Sequence, residues 1–292
     1  MKILATDLDR TLLPNGSWKG DSEAINLFNE LTEKQDVLVV YVTGRNLTLT
    51  ENAIKEFGVR YPNVLCGDVG TSIRKYENGE WKFDDGWIAH VRRASPRWDA
   101  SAIRDAVARV DGMREQESEH LNQFKQSYYV EHHKNDEVLK KVEELVKGRF
   151  DEVIIYSFDS QDGKGLLDFL PASATKQTAL EYVARENETP LDEVVFCGDS
   201  GNDIFPLTAG FCGVLVKTKI IGDLIGHFHQ LLDFLHQLSS PSVIRSPKVY
   251  TLCRPGRANP TSVTPERSAN STASVVGAET AAIISIPAAA VL

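Results

Sequence analysis

A chain of 292 residues is long enough to bury a full core, and 42% hydrophobic with 25% charged residues is the balance of an ordinary globular protein. The net charge of -9 leaves no basic surplus for a general nucleic-acid binder, yet it does not exclude a phosphate ester, because a few placed cations and one metal outweigh a distant negative surface. No apolar run reaches the roughly 18 residues of a membrane span, and Cys66, Cys197, Cys212 and Cys253 are widely spaced with no C-x-x-C pattern, so a cytoplasmic enzyme with buried, reduced thiols is expected.

Lys2–Thr6 is a short, β-prone apolar run that predicts the first strand. Ala24, Leu27, Phe28 and Leu31 recur at helical spacing and predict a helix over Ser22–Glu33, with Asp21 or Ser22 as its N-cap. Val37–Val42 (VLVVYV) predicts a stronger strand, Leu47–Phe57 a helix closed by Gly58, and Asn63–Cys66 a third strand. Continuous apolar strands separated by helices imply a parallel sheet covered on both faces. After about residue 80 the pattern changes. YENGEWKF predicts a hairpin around Asn78-Gly79; helices follow at about 99–110 and 135–147, with strands at Gln126–Glu131, Glu152–Ser157 and Leu166–Leu170. Alternation resumes with helix Thr175–Glu186, strand Glu193–Cys197, helix Asn202–Thr208 and strand Gly213–Val216. The expected organisation is one parallel α/β domain, residues 1–80 and 171–238, interrupted by a smaller α+β module over 81–170. From Ser239 to Leu292 only two acids, Glu266 and Glu279, stand among many Ser, Thr, Pro and Ala; this stretch is expected to be a low-complexity, disordered tail outside the fold.

Four short elements converge at the carboxyl edge of such a sheet, where open α/β proteins place their ligands. Asp7-Leu8-Asp9-Arg10-Thr11 follows the first strand, and strand alternation puts both carboxylates on one side. D-x-D alone could equally be a capped strand end. Val42-Thr43-Gly44-Arg45 opens a helix, offering a hydroxyl and free N–H groups to an anion. Lys176 stands in the first turn of a helix, where the macrodipole disfavours a cation unless an anion is near. Cys197-Gly198-Asp199-Ser200-Gly201-Asn202-Asp203 sets two acids four apart among glycines, which suits a hard cation ligated by oxygen.

The chemistry expected of these parts is phosphoryl transfer. Asp7 would attack phosphorus and form an acyl phosphate, and Asp9 would protonate the leaving oxygen and then activate water. Thr43, Gly44 and Lys176 would hold the phosphoryl oxygens. Mg²⁺ would be bound by Asp7, the Asp9 carbonyl and Asp199, with Asp203 holding the metal shell or orienting Lys176.

These residues resemble the four motifs of the haloacid dehalogenase superfamily: D-x-D-x-T at 7–11, Thr43, Lys176 and G-D-x-x-N-D at 198–203. The resemblance covers about residues 1–216 and implies a Rossmann-like parallel sheet core, phosphoryl transfer through Asp7 and, from the position of the insertion, a type C2 cap. TDLDRT, VTGRN, GDVGTSI, FKQSYYVE, LLDFLP and VFCGDSGND are similar to segments of sucrose-6-phosphate phosphatases and related sugar phosphatases. That likeness implies a small-molecule sugar phosphate as substrate, with Gly70, Thr71, Gln123, Lys125, Ser127 and Asn202 as candidate substrate contacts. Arg10 departs from the small residue frequent at its position, so a narrower or more cationic mouth is expected.

Another capped phosphatase, or a mutase acting on mannosylglycerate-type or hexose phosphates, carries the same core motifs and stays open at this level. A signalling receiver domain also surrounds a phospho-aspartate with acids, Thr and Lys. It is disfavoured because Asp7 lies on the first strand and Asp9 supplies an acid/base.

Overall fold

The computed structural model describes residues 2–14, 22–159, 163–199, 201–216 and 249–252, which form an α/β fold with two sheets. In chain order the elements are β1 (Lys2–Thr6), α1 (Ser22–Lys34), β2 (Val37–Val42), α2 (Leu47–Phe57), β3 (Val64–Gly67), β4 (Ser72–Glu77), β5 (Glu80–Phe83) and α3 (Asp85–Ala94). Then come α4 (Ala100–Val107), β6 (Met113–Glu115), β7 (Gln126–Glu131), α5 (Asn135–Val146), β8 (Glu152–Asp159) and β9 (Lys164–Pro171). The chain returns through α6 (Lys176–Glu186), β10 (Val194–Gly198), α7 (Ile204–Thr208), β11 (Cys212–Val216) and β12 (Val249–Leu252).

The larger sheet has the order β12-β11-β10-β1-β2-β3-β4-β5. Its strands run parallel from β12 to β3, and the β4–β5 hairpin is added antiparallel at one edge. Strand alternation sends Ile3, Ala5, Val40 and Val42 to one face, where they pack with Trp87 and Val91 of α3 and with Leu180 and Val183 of α6. Leu4, Val39 and Tyr41 go to the other face, against Ile25 and Phe28 of α1 and Ala53 and Ile54 of α2. Burial on both faces is why these strands read as unbroken apolar runs. Because β1, β2 and β10 are parallel neighbours, Asp7, Thr43 and Asp199 all follow strand ends on the same edge.

The smaller sheet has the order β6-β7-β9-β8 and is antiparallel throughout. One face is closed by Ile103 and Val107 of α4 and by Val138, Val142 and Val146 of α5, packed on Tyr128, Val130, Leu167 and Phe169.

Three features depart from the expectation. Residues 85–94, not predicted helical, form α3; Asp84 caps it by accepting from Trp87 N at 2.9 Å, while Gly86 blurs the periodic signal. Strand β6 spans three residues, too few for a period-two pattern to register. The stretch 239–292 is not wholly outside the fold, because Val249–Leu252 pairs parallel with β11 as the edge strand. The pairing uses backbone groups, which leave no trace in composition. Asp21, the Ser22 side chain, Cys253 and residues 217–248 and 253–292 lie outside the described residues. No described helix is long and apolar enough to cross a membrane.

Candidate active site

The loop after β1 is a tight turn in which Thr11, Leu12 and Leu13 N–H groups all donate to the Leu8 carbonyl, while Arg10 N donates to Leu13 O. Asp7 N donates to Cys197 O at 2.9 Å, and Thr6 Oγ1 donates to the Asp7 carbonyl at 2.7 Å. The Asp7 backbone is thereby fixed between two strand ends. Its carboxylate lies 3.0 Å from Lys176 Nζ, and Lys176 also contacts Asp203 at 2.8 Å and Asn202 Oδ1 at 3.1 Å. Lys176 and Asp203 are 2% and 0% exposed, so this is a buried ion cluster rather than a surface bridge.

Lys176 is the first residue of α6, capped by Thr175 in a capping box with Thr178. Gly70 makes this position possible: its φ is +95°, and a Cβ there would stand 2.4 Å from the Thr175 backbone. Gly198 plays the matching part at the end of β10, where a Cβ would fall 2.7 Å from Asp203 Cβ. Asp203 can therefore fold back, accept from Asp199 N at 3.2 Å and face Lys176.

Burial drives the Asp7 carboxyl well above the ordinary carboxylate range; Lys176 opposes that, and Asp203 and Asp9 add to it. Burial pulls the Lys176 ammonium down, but Asp203 and Asp7 outweigh it and hold it above its usual value. One carboxylate oxygen from each of Asp7, Asp199 and Asp203 lies within 4.8 Å of the others. Among the described residues, Lys176 and Arg10 are cations that stand against these three acids, with Arg10 Nε 3.2 Å from Asp199 Oδ2. An all-oxygen donor set of three clustered carboxylates fits a hard divalent cation. The Asp9 side chain is not in that group. It is engaged by Arg45, whose Nε donates to Oδ2 at 2.9 Å and Nη2 to Oδ1 at 2.6 Å.

These residues floor a cleft of ≈ 730 Å³, of small-molecule size. The opposite wall comes from the smaller sheet and includes Lys125, Tyr129, Tyr156, Phe158, Lys164 and Asp168. Asp168 is 7% exposed, accepts from Ser127 Oγ at 2.5 Å and lies 3.7 Å from Lys125 Nζ.

Of the residues singled out from sequence, Asp7, Asp9, Gly44, Lys125, Lys176, Asp199 and Asn202 line this cleft, and Asp203 supports it through Lys176. Thr43 is fully buried, its Oγ1 accepting from Arg45 N at 3.2 Å. Ser127 reaches the wall through Asp168. Gly70, Thr71 and Gln123 are not brought to the cleft. Gly70 is committed to the approach of Thr175; Thr71 Oγ1 donates to Asp68 O and accepts from Asn122 Nδ2; Gln123 accepts from Arg92 Nη2. Arg45 and Asp168 sat inside recognised segments without a role. Asp168 could have been suspected as the charged residue of an otherwise apolar strand (LLDFLP), whereas the partner of Arg45 is 36 residues away and left no local signal.

A family model for sucrose-6F-phosphate phosphohydrolase matches residues 1–231. The chain belongs to that family. A sucrose-phosphatase 2 of Nicotiana tabacum is 31% identical over 211 residues, 69% of this chain and 46% of that protein. A mannosylfructose-phosphate phosphatase of Agrobacterium fabrum is 28% identical over 243 residues, 81% of this chain and 90% of that protein. The chain thus spans about half the length of the plant relative, and 58% of a haloacid dehalogenase-like hydrolase of Nitrosococcus oceani. The structure of the sucrose-phosphatase of Synechocystis, in complex with sucrose and phosphate, shares the fold with TM-score 0.62 and 22% identity, covering 86% of this chain and 91% of that one. The haloacid dehalogenase likeness carried by the four motifs stands with these matches.

Proposed function

We propose that this chain is a Mg²⁺-dependent phosphatase that hydrolyses a sugar phosphate monoester, sucrose-6-phosphate or a close relative, through an aspartyl-phosphate on Asp7. The observation that carries the reading is the Asp7 carboxylate, buried 3.0 Å from Lys176 Nζ beside Asp199 and Asp203, on the floor of a cleft open to a small molecule.

Asp7 Oδ attacks phosphorus as the ester P–O bond breaks, and Asp9 gives the leaving oxygen its proton. Asp9 then takes a proton from the water that attacks the acyl phosphate, releasing inorganic phosphate and restoring Asp7. Lys176, the Gly44 N–H and Thr43 hold the phosphoryl oxygens as charge gathers on them, and Asp203 keeps Lys176 aimed at Asp7. Asp7, Asp199 and the Asp9 carbonyl, supported by Asp203, would hold Mg²⁺, which when bound neutralises charge between nucleophile and ester. The domain reading that goes with this is a core of residues 1–80 and 171–238 carrying the chemistry. It is joined by β5 and α3, which pair with or pack on the larger sheet although they fall in the segment 81–170 expected to be cap. The rest of 81–170, built on the smaller sheet, is the cap that reads the sugar.

A second substrate reading is favoured by one observation. The mannosylfructose-phosphate phosphatase relative is matched over 90% of its length, against 46% for the tobacco sucrose-phosphatase. A panel of sucrose-6-phosphate, mannosylfructose phosphate and hexose phosphates with Mg²⁺, read by inorganic phosphate release, decides between them. The highest kcat/KM is expected for sucrose-6-phosphate. Release from none of the panel overturns the phosphatase reading, and return of an isomerised ester would make the protein a mutase.

A further inference from the structure

Among the described cations lining the cleft, Arg45 is the one whose guanidinium embraces a residue of the proposed reaction with two bonds. Nε and Nη2 reach the two oxygens of Asp9 at 2.9 and 2.6 Å, the fork geometry that fixes a carboxylate in direction as well as position. Arg45 is itself held on several sides. Its N–H donates to Thr43 Oγ1 at 3.2 Å, its carbonyl accepts from Asp68 N at 2.9 Å, and Nη1 donates to Leu49 O at 3.3 Å in the first turn of α2. Asp9 stands in the turn after β1 with a side chain 28% exposed to the cleft. An aspartate χ1 has three staggered wells, and the two bonds from Arg45 select the one observed.

We propose that Arg45 is a positioning residue that holds the Asp9 carboxyl in the orientation needed to protonate the leaving oxygen, and that it acts through Asp9 rather than on the phosphoryl group. One bond of the fork opens when that carboxyl takes up the proton it passes on, and closes again once the proton has left. The inference rests on the phosphatase reading above. It makes the backbone after β2 the reference for the proton donor after β1, so that nucleophile and acid are set by two different strand ends.

The leaving group separates the two roles. An alkoxide leaves only as it is protonated, whereas p-nitrophenolate is stable as an anion and needs little help. kcat/KM covers the steps up to alcohol release and is unaffected by hydrolysis of the acyl phosphate. With Mg²⁺, Arg45→Gln is expected to lower kcat/KM on sucrose-6-phosphate by about 100-fold and on p-nitrophenyl phosphate by less than about 5-fold, as part of the 10²–10⁴ that general acid catalysis supplies. Asp9→Asn should show the same bias, and adding Arg45→Gln to it should cost less than about 3-fold more, because groups acting as one unit are not additive. Arg45→Lys, which keeps the charge without the fork and guards against a misfolded Gln variant, should retain the bias at smaller size. Equal losses on both esters, or additive losses in the double variant, would overturn the role through Asp9 and leave the phosphatase reading intact. Absence of turnover of either ester by the unaltered protein would remove that reading and this inference with it.

Discussion

Lys176→Met isolates the electrostatics of the floor. The ammonium lies 3.0 Å from Asp7 and 2.8 Å from Asp203, with 2% exposure. At an effective dielectric of about 20, each pair carries about 5–6 kcal/mol of gross attraction, most of it offset by the cost of taking the charges out of water. What remains after removing one partner is the unpaired buried charge, which typically costs about 3–5 kcal/mol. At about 2–4 °C per kcal/mol for a chain near this size, Tm should fall by about 6–20 °C in the presence of a chelator. The loss depends on pH in a definite direction. With Lys176 gone, burial, Asp203 and Asp9 all push the Asp7 carboxyl upward, so the folded state takes up a proton more readily than the unfolded one. The destabilisation is therefore full above the raised folded-state pKa and is relieved as pH falls through it. Mg²⁺ should raise Tm more in the variant than in the unaltered protein, since a cation held by Asp7, Asp199 and Asp203 replaces part of the missing charge. Differential scanning fluorimetry across pH with chelator or Mg²⁺ reads all of this. A Tm within about 2 °C of the unaltered protein in chelator would refute the buried-cluster argument.

Asp7→Asn removes the nucleophile while relieving a disfavoured buried charge. Turnover should drop by about 10⁴-fold or more with Tm unchanged or raised, and substantial residual phosphate release would sink the assignment. Asp168→Asn should raise KM for the sugar ester several-fold and leave kcat/KM on p-nitrophenyl phosphate within about 2-fold, because its partners Ser127 and Lys125 belong to the wall and not to the floor. Gly70→Ala forces a Cβ to within 2.4 Å of the Thr175 backbone at φ +95°, and chemical denaturation should show a loss of about 3 kcal/mol. Burial holds the Cys197 thiol up at about 12 and raises Cys66 as well, so neither should react with iodoacetamide at pH 8 until the protein unfolds; rapid labelling of the native protein would contradict their burial.

How far the sequence could be read depended on how each residue does its work. The strands β1, β2, β10 and β11 announce themselves because burial on both faces demands continuous apolar runs, whereas their order in the sheet had no trace in the sequence. Lys176 was legible because it is a cation in the first turn of a helix, where the macrodipole disfavours one, and Asp7 and Asp203 were legible by company, each standing near a second acid just past a strand end. Gly70 and Thr71 were legible as special but not as what they are. A glycine forced by a close approach to Thr175 and a threonine bonded to Asp68 and Asn122 look, in one dimension, like glycine and threonine beside a ligand. Tyr129, Tyr156 and Phe158 were hidden by the period of the β-strand itself, since an antiparallel sheet with one solvated face needs amphipathic residues there whether or not they meet a sugar. Arg45 was the hardest. Following Gly44 at a helix start it resembles a solvent-facing cation, and its meaning lies wholly in the 36-residue separation that β1 and β2 close by pairing side by side. A site assembled from strand ends is therefore readable where its residues violate local preference, and silent where, as in the Arg45–Asp9 fork, they satisfy it.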